Sequence, residues 1–259
     1  MTANQDHFLS VIVPAYKQEK TIVRDVKRLV SELEPLRYDY ELLVVLDGLV
    51  DDSLKKLKRL HLPKVRVLAY KTNRGKSFAV RTGMSKAKGD YVMFIDSGME
   101  IDPNGMSMLL EHMEWYKADV IVGSKRHPAS QVNYNWQRKI LSFGYYYLVK
   151  LLFGIKVRDT QAGIKIFKKN VLQKILPRLV EKRFAGDLEM LVVAKHLGYK
   201  RIFEAPIKLD YNLGGVSSAA AWNSIRGILL DTLAIFYRKN ILKYYSRPHL
   251  RYEPPVDLV

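Results

Sequence analysis

Leu9-Ser10-Val11-Ile12-Val13-Pro14-Ala15-Tyr16 and Tyr40-Glu41-Leu42-Leu43-Val44-Val45-Leu46-Asp47 are two short apolar, β-branched runs separated by one amphipathic segment. The first reads as a strand over 9–13 ended by Pro14, and the second as a strand over 40–46. Between them, Ile22, Val26, Leu29, Val30 and Leu33 recur at helical spacing, which predicts a helix over 21–33. Strand, helix and strand at this spacing form one parallel crossover unit.

Working outward, the unit repeats. Helices are expected over 52–60, 76–86 and 104–116, and strands over 65–70, 91–95 and 119–123. Such alternation predicts an α/β fold, a mostly parallel central sheet with helices on both faces. Ligands of these sheets bind beyond the carboxyl ends of the strands, so the residues just after each strand are the candidates for function. Past His127 the pattern loosens into a helix over 137–153, a strand over 163–167, a helix over 184–197, a strand over 201–209 and helices from 219 to about 245. The expected division is one main domain over 1–215 and C-terminal amphipathic helices and tail over 216–259.

The 259 residues carry a net charge of +17, which calls for an anionic partner. The chain has no cysteine, so disulfides, thiolate metal sites and cysteine nucleophiles are excluded. Met1 to His7 is polar and does not read as a signal peptide, and no apolar run reaches the ~18–20 residues of a spanning helix. The expectation is a cytoplasmic protein that does not cross a membrane by itself.

Two strand ends carry acids in small-residue loops, Asp47-Gly48 and Asp96-Ser97-Gly98-Met99-Glu100. Acids there can accept hydrogen bonds from a base or ribose, or hold a divalent cation through oxygen; each alone is also an ordinary turn residue. Asn73-Arg74-Gly75-Lys76 opens a helix and could meet phosphate, but lacks the spacing of a P-loop. No Gly-x-Gly-x-x-Gly follows the first strand, which argues against a dinucleotide-binding dehydrogenase.

Taken in order, Ser10 to Tyr16 with Glu19, Asp47-Gly48, Asn73-Arg74-Gly75-Lys76 and Phe94-Ile95-Asp96 resemble the donor half of family 2 glycosyltransferases, which have the GT-A nucleotide-sugar-binding fold. Gly123-Ser124-Lys125-Arg126, Arg158-Asp159-Thr160-Gln161-Ala162-Gly163 and Phe184-Ala185-Gly186-Asp187-Leu188-Glu189 are similar to the polyprenyl-phosphate sugar transferase branch, typified by dolichol-phosphate mannose synthase. The resemblance implies a nucleotide-sugar site of Pro14, Ala15, Tyr16, Glu19, Asp47, Gly48, Lys76 and Asp96. It also implies catalytic roles for Asp96 and Asp187, and Mg²⁺ or Mn²⁺ as cofactor. The family pattern Asp-x-Asp is here Asp96-Ser97-Gly98, so one carboxylate is missing and Glu100 is its expected substitute in a metal pair of Asp96 and Glu100.

Residues 120 to 180 hold twelve lysines and arginines against the single acid Asp159. A solvated face is the ordinary explanation for such a run, and a phosphate-bearing acceptor explains the imbalance better. Lys125, Arg126 and Arg138 are the residues expected to meet that phosphate. The C-terminal helices mix Trp222, Ile225, Leu229, Leu230 and Leu233 with Arg226, Arg238, Lys239 and Lys243, which suits a helix lying at a membrane surface or one covering the core. The function that follows is inverting transfer of a hexose, mannose or glucose, from a nucleoside diphosphate to a polyprenyl or dolichyl phosphate on the cytoplasmic face of a membrane. A membrane-protein partner is left open, and nucleic acid is not expected because no reader motif accompanies the charge. The alternatives are a family 2 transferase acting on a saccharide hydroxyl, where Asp187 would be the base, and an impaired homologue that binds anionic lipid.

Overall fold

The computed structural model describes residues 7–132, 136–182, 185–209, 218–248, 252 and 254, with side chains of 136–141 and 218–225 outside that description. Seven strands form one sheet: β1 (Leu9–Ala15), β2 (Tyr40–Asp47), β3 (Val65–Tyr70), β4 (Tyr91–Ile95), β5 (Val120–Ser124), β6 (Ile164–Lys168) and β7 (Ile202–Pro206). Their order is β3-β2-β1-β4-β6-β5-β7. Strands β1, β2, β3 and β4 pair in parallel, as do β5 and β7, while β6 runs antiparallel between β4 and β5. The expected mostly parallel sheet is therefore present, with one reversed strand at its middle.

Among the described residues eight α-helices cover the sheet: α1 (Ile22–Leu33), α2 (Ser53–Lys58), α3 (Lys76–Lys86), α4 (Gly105–Trp115), α5 (Trp136–Phe153), α6 (Lys169–Ile175), α7 (Gly186–His196) and α8 (Ser218–Asn240). Helix α6 is absent from the sequence reading, because seven residues are too few to establish a helical period. Alternation along the strands divides the interior in two. Leu9, Val11 and Val13 of β1 and Met93 and Ile95 of β4 pack with α1 and α4. Ile12 and Phe94 point the other way, against α3 and α7. Ile235 of α8 and Tyr245, in a 3₁₀ turn after it, belong to this second core, so part of the 216–259 segment packs with the main body.

The sheet reverses direction of winding between β1 and β4, which lead to β2 and β6 on opposite sides. Pairing of β1 with β4 stops at Ile12↔Phe94, while β1 continues beside β2 to Ala15↔Leu46. Pro14 and Ala15 are thus the last strand residues rather than the first of the loop. The strands separate here, and a cleft opens at their carboxyl ends.

Helix α3 approaches β1 closely through Gly83, where a Cβ would stand 2.5 Å from Ile12 Cγ2 and 3.1 Å from Val45 Cγ2. Gly83→Val is expected to lower the unfolding free energy by about 2 kcal/mol through overpacking, read by urea denaturation.

Candidate active site

The cleft encloses about 1120 Å³ and its walls include Pro14 and Ala15 from β1, Tyr16 just after it, Asp47 from β2, Lys76 from α3, and Asp96 and Glu100 after β4. Lys125, Gln161 and Gly163 also line it. The strand ends therefore bring together most of the residues expected for the donor.

Asp47 organises one side. Its buried carboxylate accepts from Tyr70 Oη (2.7 Å), Asn73 Nδ2 (3.0 Å), Arg74 N (2.7 Å) and Gly75 N (2.9 Å). Burial and the neighbouring Asp47 carboxylate push the Tyr70 hydroxyl far above its usual range, so it stays a donor. Four donors on one carboxylate fix the Asn73–Gly75 loop and hence the start of α3. That helix start is not an open phosphate cradle, because Ser77 N and Phe78 N donate to the Lys182 carbonyl at 3.1 and 3.3 Å. It delivers to the cleft the Lys76 side chain, one fifth exposed, beside Asn73 and Arg74.

Lys76 ends in a chain of alternating charges. Its ammonium lies 2.8 Å from each Asp96 carboxylate oxygen, with hydrogen-bond geometry to Oδ2, and donates to Asp187 Oδ2 at 3.0 Å. The other Asp187 oxygen accepts from Lys165 Nζ at 2.9 Å, and Lys165 also donates to the Ala162 carbonyl at 2.6 Å. Lys165 has no solvent exposure, Asp187 4%, Lys76 20% and Asp96 39%, so the chain climbs from the core into the cleft. The Phe94 ring lies under both ammonium groups, at 5.7 Å from Lys76 and 5.2 Å from Lys165.

These neighbours set the ionisation of each group. Burial pushes Asp187 upward, but Lys165 and Lys76 together outweigh it and hold its carboxyl below the usual range. Burial at the cleft floor moves Asp96 the other way; Lys76 pulls against it and the charge of Asp187 adds to the push. Water reaching the open part of the Asp96 side chain tempers that rise. Lys76 is raised, its two carboxylate partners outweighing desolvation, while burial lowers Lys165 despite Asp187.

Asp96 also depends on Gly163. Asp96 N donates to Gly163 O at 2.8 Å, and a Cβ at Gly163 would stand 2.2 Å from Asp96 Oδ2. Asp96 Oδ1 is enclosed and accepts no hydrogen bond, while Glu100 is exposed on the same cleft wall. Among the described residues no group of three or more acids and histidines gathers to hold a metal. By donor chemistry, the carboxylate oxygens of Asp96 and Glu100 are of the kind a hard cation such as Mg²⁺ or Mn²⁺ takes, with ligand or water oxygens needed to complete the shell.

The remaining expected residues divide. Glu19 does not line the cleft; its carboxylate accepts from Asp52 N at 3.1 Å and its own amide donates to Asp51 at 3.1 Å, tying the β1–α1 loop to α2. Gly48, with φ of +101°, lets the chain turn beneath Asn73, whose amide would stand 3.0 Å from a Cβ there. Lys125 is held by Asp159, amide at 3.1 Å and ammonium at 3.7 Å. The Arg126 guanidinium is off the cleft wall, over Phe143 of α5 at 4.4 Å, and donates to Arg158 O at 3.1 Å. The Arg138 side chain lies outside the described residues. Lys165 is the cleft-floor residue the motifs do not show, and its one signal is a lysine inside an otherwise apolar strand.

Glu189, two residues beyond Asp187, is fully buried and serves the framework. It accepts from Val180 N and Glu181 N, both at 2.9 Å, and from Tyr245 Oη at 2.7 Å. Burial raises its pKa against these donors.

The sequence model of glycosyl transferase family 2 matches residues 10–176. A dolichyl-phosphate beta-glucosyltransferase of Drosophila melanogaster is 33% identical over 205 residues, which are 73% of this chain and 63% of that protein. The chain thus spans less than two thirds of the fly protein's length. A UDP-N-acetylglucosamine–dolichyl-phosphate N-acetylglucosaminyltransferase of Methanococcus voltae is 28% identical over 256 residues, covering 92% of this chain and 97% of that one. Among solved structures, glucosyl-3-phosphoglycerate synthase of Mycobacterium tuberculosis, in complex with Mn²⁺, UDP and phosphoglyceric acid, superposes with a TM-score of 0.68 at 17% identity, over 89% of this chain and 79% of that one. The fold is accordingly GT-A.

Lys165→Met would leave Asp187 buried with one counter-ion, and is expected to cost about 3 kcal/mol in denaturant unfolding at neutral pH. Because the folded pKa of Asp187 is lowered, its pairing contributes fully above the ordinary carboxyl range, about 4, and is lost as pH falls through the lower folded value. The gap between wild type and variant should narrow on acidification.

Proposed function

The chain belongs to glycosyltransferase family 2, and we propose that it transfers glucose from a nucleoside diphosphate to a dolichyl or other polyprenyl phosphate, inverting the anomeric carbon. The observation that carries this reading is the meeting of Lys76, Asp96 and Asp187 within 3.0 Å at the floor of the strand-end cleft. Of the two hexoses the sequence admits, glucose is favoured by the names of the relatives.

The donor lies against Pro14 to Tyr16 and the Asp47-held loop, with its diphosphate toward Lys76 and Asp96. A divalent Mg²⁺ or Mn²⁺ held by Asp96 and Glu100 would neutralise charge on the diphosphate. Lys76 donates to the same phosphates and stabilises them as they leave. Lys125 draws the acceptor phosphate to the cleft, and Arg126 and Arg138 are the other basic residues the sequence offers it. An acceptor phosphate oxygen forms the new bond to the anomeric carbon while the bond to the donor diphosphate breaks on the opposite side. The phosphate monoester is already an anion at neutral pH, so the step needs no general base. Asp187 suits this chemistry: pinned by two ammonium groups and held below the usual carboxyl range, it is a poor proton acceptor and orients Lys76 instead. A saccharide hydroxyl would require the base that Asp187 is poorly placed to be.

A membrane surface is the natural source of such an acceptor. On α5, Phe143, Tyr147 and Leu151 are exposed at four-residue intervals, and on α8 Leu230, Leu233 and Tyr237 are exposed, followed by Ile241. The helices are joined by Tyr145 Oη and Thr232 Oγ1 at 3.0 Å, and Gln161 of the cleft wall donates to Tyr145 at 3.2 Å. Lys150, Arg226 and Lys243 are exposed along this strip. Apolar residues with basic neighbours fit an anionic headgroup region. Among the described residues no helix is long and apolar enough to cross a membrane. Trp222 and Ile225 have side chains outside the described residues.

Incubation with UDP-glucose or GDP-linked sugars, a short-chain polyprenyl phosphate and Mg²⁺ or Mn²⁺ is expected to yield a lipid-linked hexose; no product with any donor overturns the reading. Asp96→Ala should abolish turnover. Asp187→Asn should lower kcat by far less than the ~10²–10⁴-fold typical for loss of a general base. Tyr147→Glu with Leu230→Glu is expected to abolish co-sedimentation with anionic vesicles while transfer to a water-soluble short-chain acceptor persists.

A further inference from the structure

The floor of the cleft raises a question of charge. Four groups alternate along it, Lys165, Asp187, Lys76 and Asp96, so the chain is neutral as it stands. With Gly98 where a second acid would lie, Lys76 is enough to balance Asp96, and Glu100 is a further acid exposed on the cleft wall. The Lys76 ammonium sits 2.8 Å from both oxygens of Asp96. A divalent ion on the same carboxylate, at its usual distance of about 2.1 Å from oxygen, would face that ammonium at strongly repulsive range.

We infer that Lys76 is a resident counter-cation of Asp96: in the donor-free protein it holds the place of the divalent ion, and it moves to the donor diphosphate when that ion arrives. The inference rests on the nucleotide-diphosphate reading of the cleft.

The two lysines differ in what they can do. Lys165 has no solvent exposure and is tied to Ala162 O and Asp187, in register between Phe94 of β4 and Val122 of β5. It stays. Lys76 begins a helix, lines the cleft and keeps a fifth of its side chain exposed. It can leave without stranding either partner, because Asp187 retains Lys165 and Asp96 gains the divalent ion. An unpaired buried carboxylate would otherwise oppose the movement. Lys76 itself needs an anion to move to, and the diphosphate is one. Metal and nucleotide therefore each remove the obstacle to the other, and their affinities rise together by the same factor.

Electron paramagnetic resonance of free Mn²⁺, titrated against the full chain with and without UDP or GDP, tests this directly. The wild type is expected to bind Mn²⁺ weakly alone and about tenfold or more tightly with nucleotide. Lys76→Met should bind Mn²⁺ without nucleotide about tenfold or more tightly than wild type, as expected when an opposite charge beside a carboxylate is removed, and should show little further gain from nucleotide. Lys76→Gln keeps a polar side chain and should behave alike, with circular dichroism melts confirming folding of both. Adding Asp96→Asn to Lys76→Met should erase the gain. Nucleotide-free Mn²⁺ affinity in both lysine variants equal to or weaker than wild type overturns the inference, even where nucleotide still binds. If no nucleotide binds to the wild type by calorimetry, the donor reading falls, while a Mn²⁺ gain in the variants still upholds Lys76 as the counter-cation.

Discussion

The ion pair of Lys165 with Asp187 fixes the centre of this protein. It joins the reversed strand β6 to the first turn of α7, and both ends are buried. A lysine in that position would be severely destabilising alone, and a carboxylate beside it equally so. Together they force α7 to start over the β4–β6 pair. From this placement follow the contact of Asp187 with Lys76, the position of Gly163 under Asp96, and the floor of the cleft. The start of α7 then lies against α3, where Gly186 leaves so little room that a Cβ would stand 2.3 Å from Ser77 Oγ.

Much of the fold is legible in the sequence because the parallel strands are buried on both faces. Stretches such as Leu42 to Leu46 read as continuous apolar runs, bounded by residues that turn. The acids at the strand ends are equally visible, since Asp47 and Asp96 follow such runs directly. What cannot be read is pairing. Nothing local says that 164–168 runs antiparallel between β4 and β5, and only that position makes Lys165 a core residue. An edge strand with the same sequence would send its lysine to water. The role of Asp47 is hidden for a similar reason, because three of its four donors lie on the segment 73–75, which is distant in sequence. Glu19 and Arg126 are the reverse case. Both stand in the motifs, yet the Glu19 carboxylate meets Asp52, the Arg126 guanidinium lies over Phe143, and neither lines the cleft.

The substitution of Gly98 for an acid reads from sequence as a loss. In the folded protein it belongs to a charge balance in which Lys76 and Lys165 face Asp96 and Asp187 with none left over. A further carboxylate at the cleft floor would add repulsion to a group that burial and Asp187 already push upward. Gly98, with φ of +96° and no atom within 4 Å of a Cβ, is set by backbone conformation rather than by crowding. The loop turns there, and Glu100 is the next acid to reach the wall.

The C-terminal segment reads from sequence as a helix at a membrane surface or one covering the core, and its described part is wired to the same floor. Tyr245 Oη donates to Glu189, and Arg238 of α8 pairs with Glu181 while standing 3.9 Å from Glu189. Glu189 in turn holds the amides of Val180 and Glu181, and the next residue, Lys182, caps the start of α3 through its carbonyl. Lys76 is the first residue of that helix. The helix whose exposed leucines fit a membrane surface and the lysine that reaches the cleft are therefore separated by one loop and two buried acids. Removing α8 and Tyr245 would strip Glu181 and Glu189 of side-chain donors in an apolar setting, at a cost of several kcal/mol. That cost falls on the residues that cap α3, which is why α8 and Tyr245 belong energetically to the body of the enzyme.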